Sequence, residues 1–172
     1  DDLIKMALAH GVGPLLWRVL SQTVADKEMP QWKSLHRSAI TTAYRNILLE
    51  NELTRVTKAL ETENISTLCV KGLSLAQTVY PDASLRPMAD LDLVVPYQDR
   101  ETALTVVQSL GYHLCDTPGI LHSEGDPLTV KASHHHVLTG GANSSVTLEL
   151  HYRLLGGAKD LLPVEQLDWV WS

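Results

Sequence analysis

The stretch of this sequence that is best suited to chemistry is RPMADLDLVV, from Arg86 to Val95, which contains two aspartates. Asp90 and Asp92 stand two positions apart, and the apolar run that follows predicts a buried strand. Residues i and i+2 of an extended chain project from one face, so we expect the two carboxylates side by side. Paired carboxylate oxygens suit a hard divalent cation such as Mg²⁺ or Mn²⁺. The simpler interpretation is a pair of solvated aspartates at a strand end, and the neighbouring motifs favour the metal.

A third carboxylate lies in a later predicted strand, within the motif LELH. Alternation places Glu149 and His151 on one face of that strand and the leucines toward the core. If the two strands are neighbours, Glu149 completes an Asp/Asp/Glu cluster. Such a cluster can hold two divalent ions that bridge a triphosphate and activate an attacking hydroxyl. His151 would orient Glu149, contact the substrate or make a structural hydrogen bond.

Lys71-Gly72 separates a predicted strand from a predicted helix and is the first candidate for phosphate binding. Glycine allows close approach of the backbone, and free N–H groups at a helix start favour anions. Lys71 adds a positive charge. The alternative is a tight turn without a ligand, and the sequence lacks the longer glycine-rich pattern of a P-loop. Arg86 would either bind a phosphate or pair with Asp82 or Asp90.

Three consecutive histidines precede the last predicted strand. On an extended chain His134 and His136 share one face and His135 takes the other. All three therefore cannot converge on one ion, which disfavours a zinc site. We expect one or two of them, with His134 and His136 as the candidates, to line a substrate pocket with His151. A metal-dependent hydrolase that uses the histidines is the alternative.

The elements that position these residues follow from apolar spacing and from glycine and proline. Residues 3–20 have helical spacing that is interrupted around Gly11–Pro14, and residues 31–64 contain neither Gly nor Pro, which predicts one long helix or two abutting ones. The later predicted elements are a strand at 65–70, a helix at 73–80, the aspartate strand, a helix at 97–110, a strand at 112–116, and a hairpin of strands 128–138 and 145–154. This order predicts an α+β fold: a helical N-terminal extension, residues 1–64, and a core, residues 65–172, with a mixed β-sheet and flanking helices.

Composition limits the class of protein. The 172 residues suffice for one substantial domain, and we expect the chain to be a fragment of a longer protein. The net charge of −6 and the lack of a Lys/Arg run argue against a broad nucleic-acid-binding face. No apolar run approaches the roughly 20 residues that span a bilayer. We expect a cytoplasmic protein without membrane association, in which Cys69 and Cys115 are free thiols.

Taken together, KGLSLAQTVYPDASLRPMADLDLVV and the later HHHVL and LELHY resemble one family. It is the uncharacterised bacterial nucleotidyltransferase-like family of the DNA polymerase beta nucleotidyltransferase superfamily, and HGVGPLL near the start is also similar to it. The resemblance implies a small mixed sheet with flanking helices. It also implies magnesium-dependent transfer of a nucleoside monophosphate from a nucleoside triphosphate to an acceptor hydroxyl by two metal ions. By position, Asp90 and Asp92 match the metal-binding aspartates, Glu149 the third carboxylate and Gly72 the phosphate-side glycine.

The sequence departs from the superfamily pattern at the phosphate site. The superfamily usually has Gly-Ser or Gly-Gly where this chain has Gly72-Leu73, so the phosphate-binding hydroxyl is missing or moved to Ser74. The interval from Ser74 to Asp90 is also longer than the usual gap. Lys71 and Arg86 are the expected substitutes. A catalytically weak nucleotide-binding or regulatory protein that keeps the fold is therefore the alternative to an active enzyme.

Overall fold

The computed structural model describes residues 2–23, 30–115, 135–142, 146–152 and 171. The chain divides into two compact units, one formed by Asp1–Asn51 with Lys71–Ala89 and the other by Glu52–Val70 with Asp90–Ser172. This division differs from the expected boundary at residue 64. The segment 71–89 belongs with the N-terminal helices, and the end of the long helix belongs with the sheet.

The first unit is built from helices. Its elements are α1 (Asp2–Ala9), α2 (Gly13–Thr23), the first part of α3 (Pro30–Thr62) and α4 (Gly72–Thr78). Pro14 and Pro30 stand in the first turns of α2 and α3, where the missing N–H of proline costs no hydrogen bond. The long helix expected over residues 31–64 is confirmed as one helix of 33 residues.

Side chains of α3 hold the loop that precedes the aspartate strand. Asn46 is 5% exposed, and its Nδ2 donates to the carbonyl oxygens of Ala83 and Arg86 at 2.8 and 2.9 Å. Arg45 Nη2 donates to the carbonyl of Ala89 at 2.9 Å. A loop that lacks regular pairing needs such partners for its backbone groups. These bonds explain why the segment 71–89 belongs to the helical unit.

The second unit contains a five-stranded sheet in the order β1-β2-β5-β4-β3. Strands β2 and β5 are parallel, and the other three neighbouring pairs are antiparallel. The elements of this unit, besides the end of α3, are β1 (Leu68–Val70), β2 (Asp90–Val94), α5 (Arg100–Ser109), β3 (Tyr112–Leu114), β4 (His135–Gly140) and β5 (Val146–His151). The α+β class, the mixed sheet with helices and the final hairpin are thus confirmed.

One face of the sheet is an apolar core. Leu91, Leu93, Leu148 and Leu150 are each at most 1% exposed, and they alternate with polar residues along β2 and β5. The strand begins at Asp90, so both aspartates lie within β2 and not in the loop before it. Backbone pairing holds Asp92 on both sides, opposite Val70 of β1 and Glu149 of β5, and holds Asp90 on one side, opposite Thr147 of β5.

Within the described ranges, no helix combines the length and the hydropathy that crossing a bilayer requires. Cys69 and Cys115 are half-buried and are not joined by a disulfide.

Glu52 is a buried carboxylate, although a glutamate on a helix is expected by default on the surface. It is 5% exposed and accepts hydrogen bonds from Arg55 and from the Tyr112 hydroxyl, the latter at 2.8 Å. Arg55 also donates to the carbonyl of Leu110 at 3.1 Å. Gly141, at φ +87°, passes so close that a Cβ there would overlap the Glu52 carboxylate. The network joins the end of α3 to β3 and to the turn after β4.

The charge of Glu52 is stabilised by these donors. Burial raises the pKa of the carboxyl, but the hydrogen bonds from Arg55 and Tyr112 outweigh burial and leave the pKa below its ordinary value of 4.5. A carboxyl with a lowered pKa stabilises the fold above its unfolded-state pKa. That stabilisation is lost as the pH falls through the folded-state pKa.

We therefore expect Glu52→Gln to lower the free energy of unfolding by about 1–3 kcal/mol at neutral pH, because buried donors lose a charged acceptor. The difference from wild type should shrink below about pH 4, where the unfolded-state carboxyl is protonated. Urea unfolding at the two pH values measures both effects. Glu61→Gln, at an exposed position of the same helix, is the control and should be neutral. A penalty for Glu52→Gln that is independent of pH would contradict this account.

Candidate metal centre

The parallel pairing of β2 and β5 brings the two acidic motifs together. Asp92 pairs with Glu149, and Val94 pairs with His151, the residue two positions further along β5. Directly paired residues of neighbouring strands project from the same face. Asp92, Glu149 and His151 therefore lie on the face opposite the leucines. The two strands are neighbours, as they must be for Glu149 to join the aspartates in one cluster.

The three side chains are within contact distance of one another. The Nε2 atom of His151 lies 3.1 Å from Oδ1 of Asp92 and 3.2 Å from Oε2 of Glu149. Taking one ligand atom from each residue, all three atoms lie within 4.8 Å of one another. Asp92 and His151 are each 4% exposed, whereas the Glu149 side chain is 24% exposed. The cluster is thus buried at Asp92 and open to solvent at Glu149.

These residues fit a divalent cation by chemistry and by size. Metal–ligand bonds of about 2.0–2.2 Å put neighbouring ligand atoms about 2.8–3.6 Å apart in octahedral or tetrahedral sites. The two distances from His151 Nε2 fall in this range. Two carboxylates close together are also more stable with a cation between them. The arrangement can hold one ion, with one carboxylate accessible from solvent.

Asp90 lies on the same face but one pair further along. It is opposite Thr147, whereas Asp92 is opposite Glu149. The spacing of two residues along a strand does not decide whether Asp90 joins the cluster, because Glu149 and His151 have the same spacing and their side chains lie 3.2 Å apart. Among the described residues, the group with metal-binding spacing contains Asp92, Glu149 and His151, without Asp90. The role of Asp90 as a ligand stays a prediction.

The register of the hairpin places a different histidine beside the cluster than expected. His135 pairs with His151, and the two rings lie 4.9 Å apart at 34°. His136 pairs with Leu150 on the other face, where its ring lies 5.2 Å from that of Tyr152. His136 therefore projects from the other face of β4 than His135, and its place in a substrate pocket stays a prediction. His134 lies outside the described residues.

The predicted phosphate turn belongs to the other unit and has an unusual backbone. Lys71 directly precedes α4 with φ +53° and ψ −116°, a conformation that residues with a side chain rarely adopt. The carbonyl of the next residue, Gly72, accepts a hydrogen bond from Arg86 Nε at 3.1 Å. Arg86 also lies over the ring of Tyr80, with its Cζ 5.6 Å from the ring centroid. Arg86 thus fixes this turn.

Ser74 and Asp82 have local contacts. Ser74 is half-buried within α4, and its carbonyl accepts a hydrogen bond from the Thr78 hydroxyl at 2.8 Å. Asp82 accepts from the backbone N–H of Ser84 at 2.9 Å, and hydrogen bonds from Ser84 hold the pKa of that carboxyl below its usual value. Asp82 therefore caps the 3₁₀ turn Ala83–Leu85.

The sequence also matches a known protein family. A family profile described as "Uncharacterised nucleotidyltransferase" matches residues 1–172. The chain belongs to this nucleotidyltransferase family. No curated protein and no solved structure matches the chain. A mixed sheet with flanking helices and carboxylates on neighbouring strands is consistent with a nucleotidyltransferase-type fold. Family membership supports a nucleotidyltransferase-type function, and the Asp/Glu/His group is a plausible metal site for it.

We expect Asp92→Asn and Glu149→Gln each to weaken binding of a divalent ion by roughly ten- to a hundred-fold, because each removes a charged ligand worth about 1.5–3 kcal/mol. Titration calorimetry with Mg²⁺ and with Mn²⁺ measures the loss. Glu101→Gln on α5, where the side chain is 71% exposed, is a matched acidic control and should bind as wild type does.

The same variants distinguish a metal ligand from a structural partner. Removing one of two neighbouring carboxylates relieves their repulsion. In chelator, Asp92→Asn should therefore melt within a few degrees of wild type. A large loss of stability in metal-free buffer would show that Asp92 serves mainly to hold the fold.

Proposed function

We propose that this chain is a metal-dependent nucleotidyltransferase. It transfers a nucleoside monophosphate from a nucleoside triphosphate to an acceptor hydroxyl and releases pyrophosphate. The observation that carries the proposal is the pairing of Asp92 with Glu149 on parallel strands, in a chain whose family is that of a nucleotidyltransferase. The fold alone would not support it, because one fold serves many functions.

Asp92 and Glu149 are the residues that would hold Mg²⁺ or Mn²⁺, with Asp90 extending the site toward a second ion. When bound, such ions neutralise phosphate charge and favour the ionised form of a hydroxyl. The chain supplies fixed ligands for this chemistry. Asp92 lies within a strand that is paired on both sides, and its Oδ1 contacts His151 at 3.1 Å. A ligand held in this way does not need to be reoriented during the reaction.

Glu149 is the proposed general base, because it is the more exposed carboxylate of the pair. A bond forms between the acceptor oxygen and the α-phosphorus of the triphosphate. The bond from that phosphorus to the bridging oxygen breaks, and its electron pair leaves with pyrophosphate. The hydroxyl proton passes to Glu149 and then to solvent.

Lys71 and Gly72 are the proposed contacts to the triphosphate. A lysine at φ +53° occupies a conformation that glycine adopts at lower cost. Backbone strain of this kind costs about 1–3 kcal/mol and is concentrated at functional sites. The presence of lysine at this position supports a role for its ammonium group. Arg86, which donates to the Gly72 carbonyl, would preserve the turn.

The partners of the proposed reaction are a nucleoside triphosphate and an acceptor with a free hydroxyl, either a small molecule or a protein. The net charge of −6 and the lack of a basic run disfavour long nucleic acids as acceptors. A reducing cytoplasm is the proposed location, since both cysteines are free thiols.

Two substitutions at Lys71 separate ligand binding from backbone strain. Lys71→Ala and Lys71→Gly both remove the ammonium group. Each should weaken binding of a magnesium–triphosphate complex by roughly ten- to a hundred-fold, while binding of Mg²⁺ alone changes little. Lys71→Gly should also melt higher than Lys71→Ala, because glycine adopts the positive φ without strain.

Lys58→Ala, at an exposed position in α3, is the control for loss of one positive charge. Titration calorimetry and thermal unfolding measure the two effects. Unchanged triphosphate affinity in both Lys71 variants would remove Lys71 from the binding site.

The reaction itself is tested with two labelled forms of each nucleoside triphosphate. The protein is incubated with Mg²⁺ and a pool of small hydroxyl compounds. Transfer should move an α-phosphate label to a new product and release a γ-phosphate label as pyrophosphate. Asp92→Asn should abolish both signals, and Glu101→Gln should keep them. Release of the γ label as inorganic phosphate would indicate a hydrolase, and tight triphosphate binding without either product would indicate a regulatory protein.

A further inference from the structure

We infer that His151 is a direct metal ligand, and that the site binds Mn²⁺ in preference to Mg²⁺. The inference rests on the proposed function in that it concerns the same cluster. It adds a nitrogen ligand to the two carboxylates, and this ligand determines which class of divalent ion the site prefers. An Asp, a Glu and a His then form one site on the polar face of the β2–β5 pair.

The Nε2 atom of His151 points toward both carboxylates of the cluster. This one nitrogen lies 3.1 Å from a carboxylate oxygen of Asp92 and 3.2 Å from one of Glu149. A ring nitrogen carries at most one proton, and one N–H cannot point well at two acceptors. A cation bound to all three atoms satisfies both oxygens and the nitrogen together. The two distances from Nε2 are those of neighbouring ligand atoms around one ion.

The position of the His151 ring is constrained from several sides. Its backbone pairs with His135 on β4 and Val94 on β2, and its carbonyl accepts from the N–H of Val95 at 2.9 Å. The His135 ring packs 4.9 Å from the His151 ring. A buried imidazole held in this way has little freedom to turn its Nε2 away. Metal sites commonly position a ligating histidine through such surrounding contacts.

The donor set determines which ion is preferred. Mg²⁺ is bound mainly by oxygen ligands and keeps several waters. Imidazole nitrogen suits first-row transition ions, and Mn²⁺ accepts both nitrogen and carboxylate oxygen. Two carboxylates with one imidazole therefore favour Mn²⁺ over Mg²⁺. Three carboxylates without the histidine would favour Mg²⁺ more strongly.

The experiment uses metal-free protein with Mn²⁺ alone as the probe. Electron spin echo envelope modulation of the bound Mn²⁺ detects a directly coordinated ¹⁴N nucleus. Wild type should give this signal, and His151→Gln should lose it. The exposed His113→Gln is the matched control and should keep it, and His135→Gln, which changes the packing around His151 but removes no ligand, should also keep it. Calorimetric competition should show the Mn²⁺-to-Mg²⁺ affinity ratio falling roughly tenfold or more in His151→Gln, with Mg²⁺ affinity nearly unchanged.

Each other outcome has a distinct meaning. Bound Mn²⁺ without a nitrogen signal would overturn the inference, and the proposed function would stand if Asp92→Asn still weakened binding as expected. A signal lost in His135→Gln but kept in His151→Gln would also overturn it, since the ligand would then be His135. If wild type binds neither ion, the inference and the metal-dependent function both fail. Circular dichroism of each variant verifies that the fold is retained.

Discussion

The parallel pairing of β2 with β5 is the constraint on which the candidate site depends. It sets Asp92 opposite Glu149 and leaves the leucines of both strands on the buried face. A shift by one residue would turn Glu149 into the apolar core and expose Leu148. The burial of apolar side chains on one face therefore fixes the positions of the carboxylates on the other. Core packing and site geometry are consequences of a single register.

Among the described residues, the buried carboxylates Glu52 and Asp92 have different surroundings. Glu52 faces a guanidinium and a phenol hydroxyl, so its charge is balanced by donors within the fold. At the other position Asp92 and Glu149 share the same imidazole nitrogen. Burial of charge is favourable only with compensation. The first arrangement is suited to stability, and the second is suited to binding a cation from solution.

The sequence predicted what depends on local periodicity. Alternation in DLDLV and LELH placed the carboxylates opposite the leucines, since a period of two is visible in a single strand. The histidine beside His151 depends on the register of β4 and β5, which alternation within one strand does not specify. The Glu52–Tyr112 bond joins residues 60 positions apart. The positive φ of Lys71 was unpredictable for another reason, because a lysine gives no indication of a backbone that glycine would normally supply.

The sheet, as described, ends on both sides in strands of only three residues, β1 and β3. An exposed edge strand offers unpaired N–H and C=O groups that can recruit an identical strand from another copy. Each of these strands has three residues, fewer than the six or seven residues of a typical fibril-forming segment, and so presents few such groups. The described edges of the folded sheet therefore give amyloid-like growth little template.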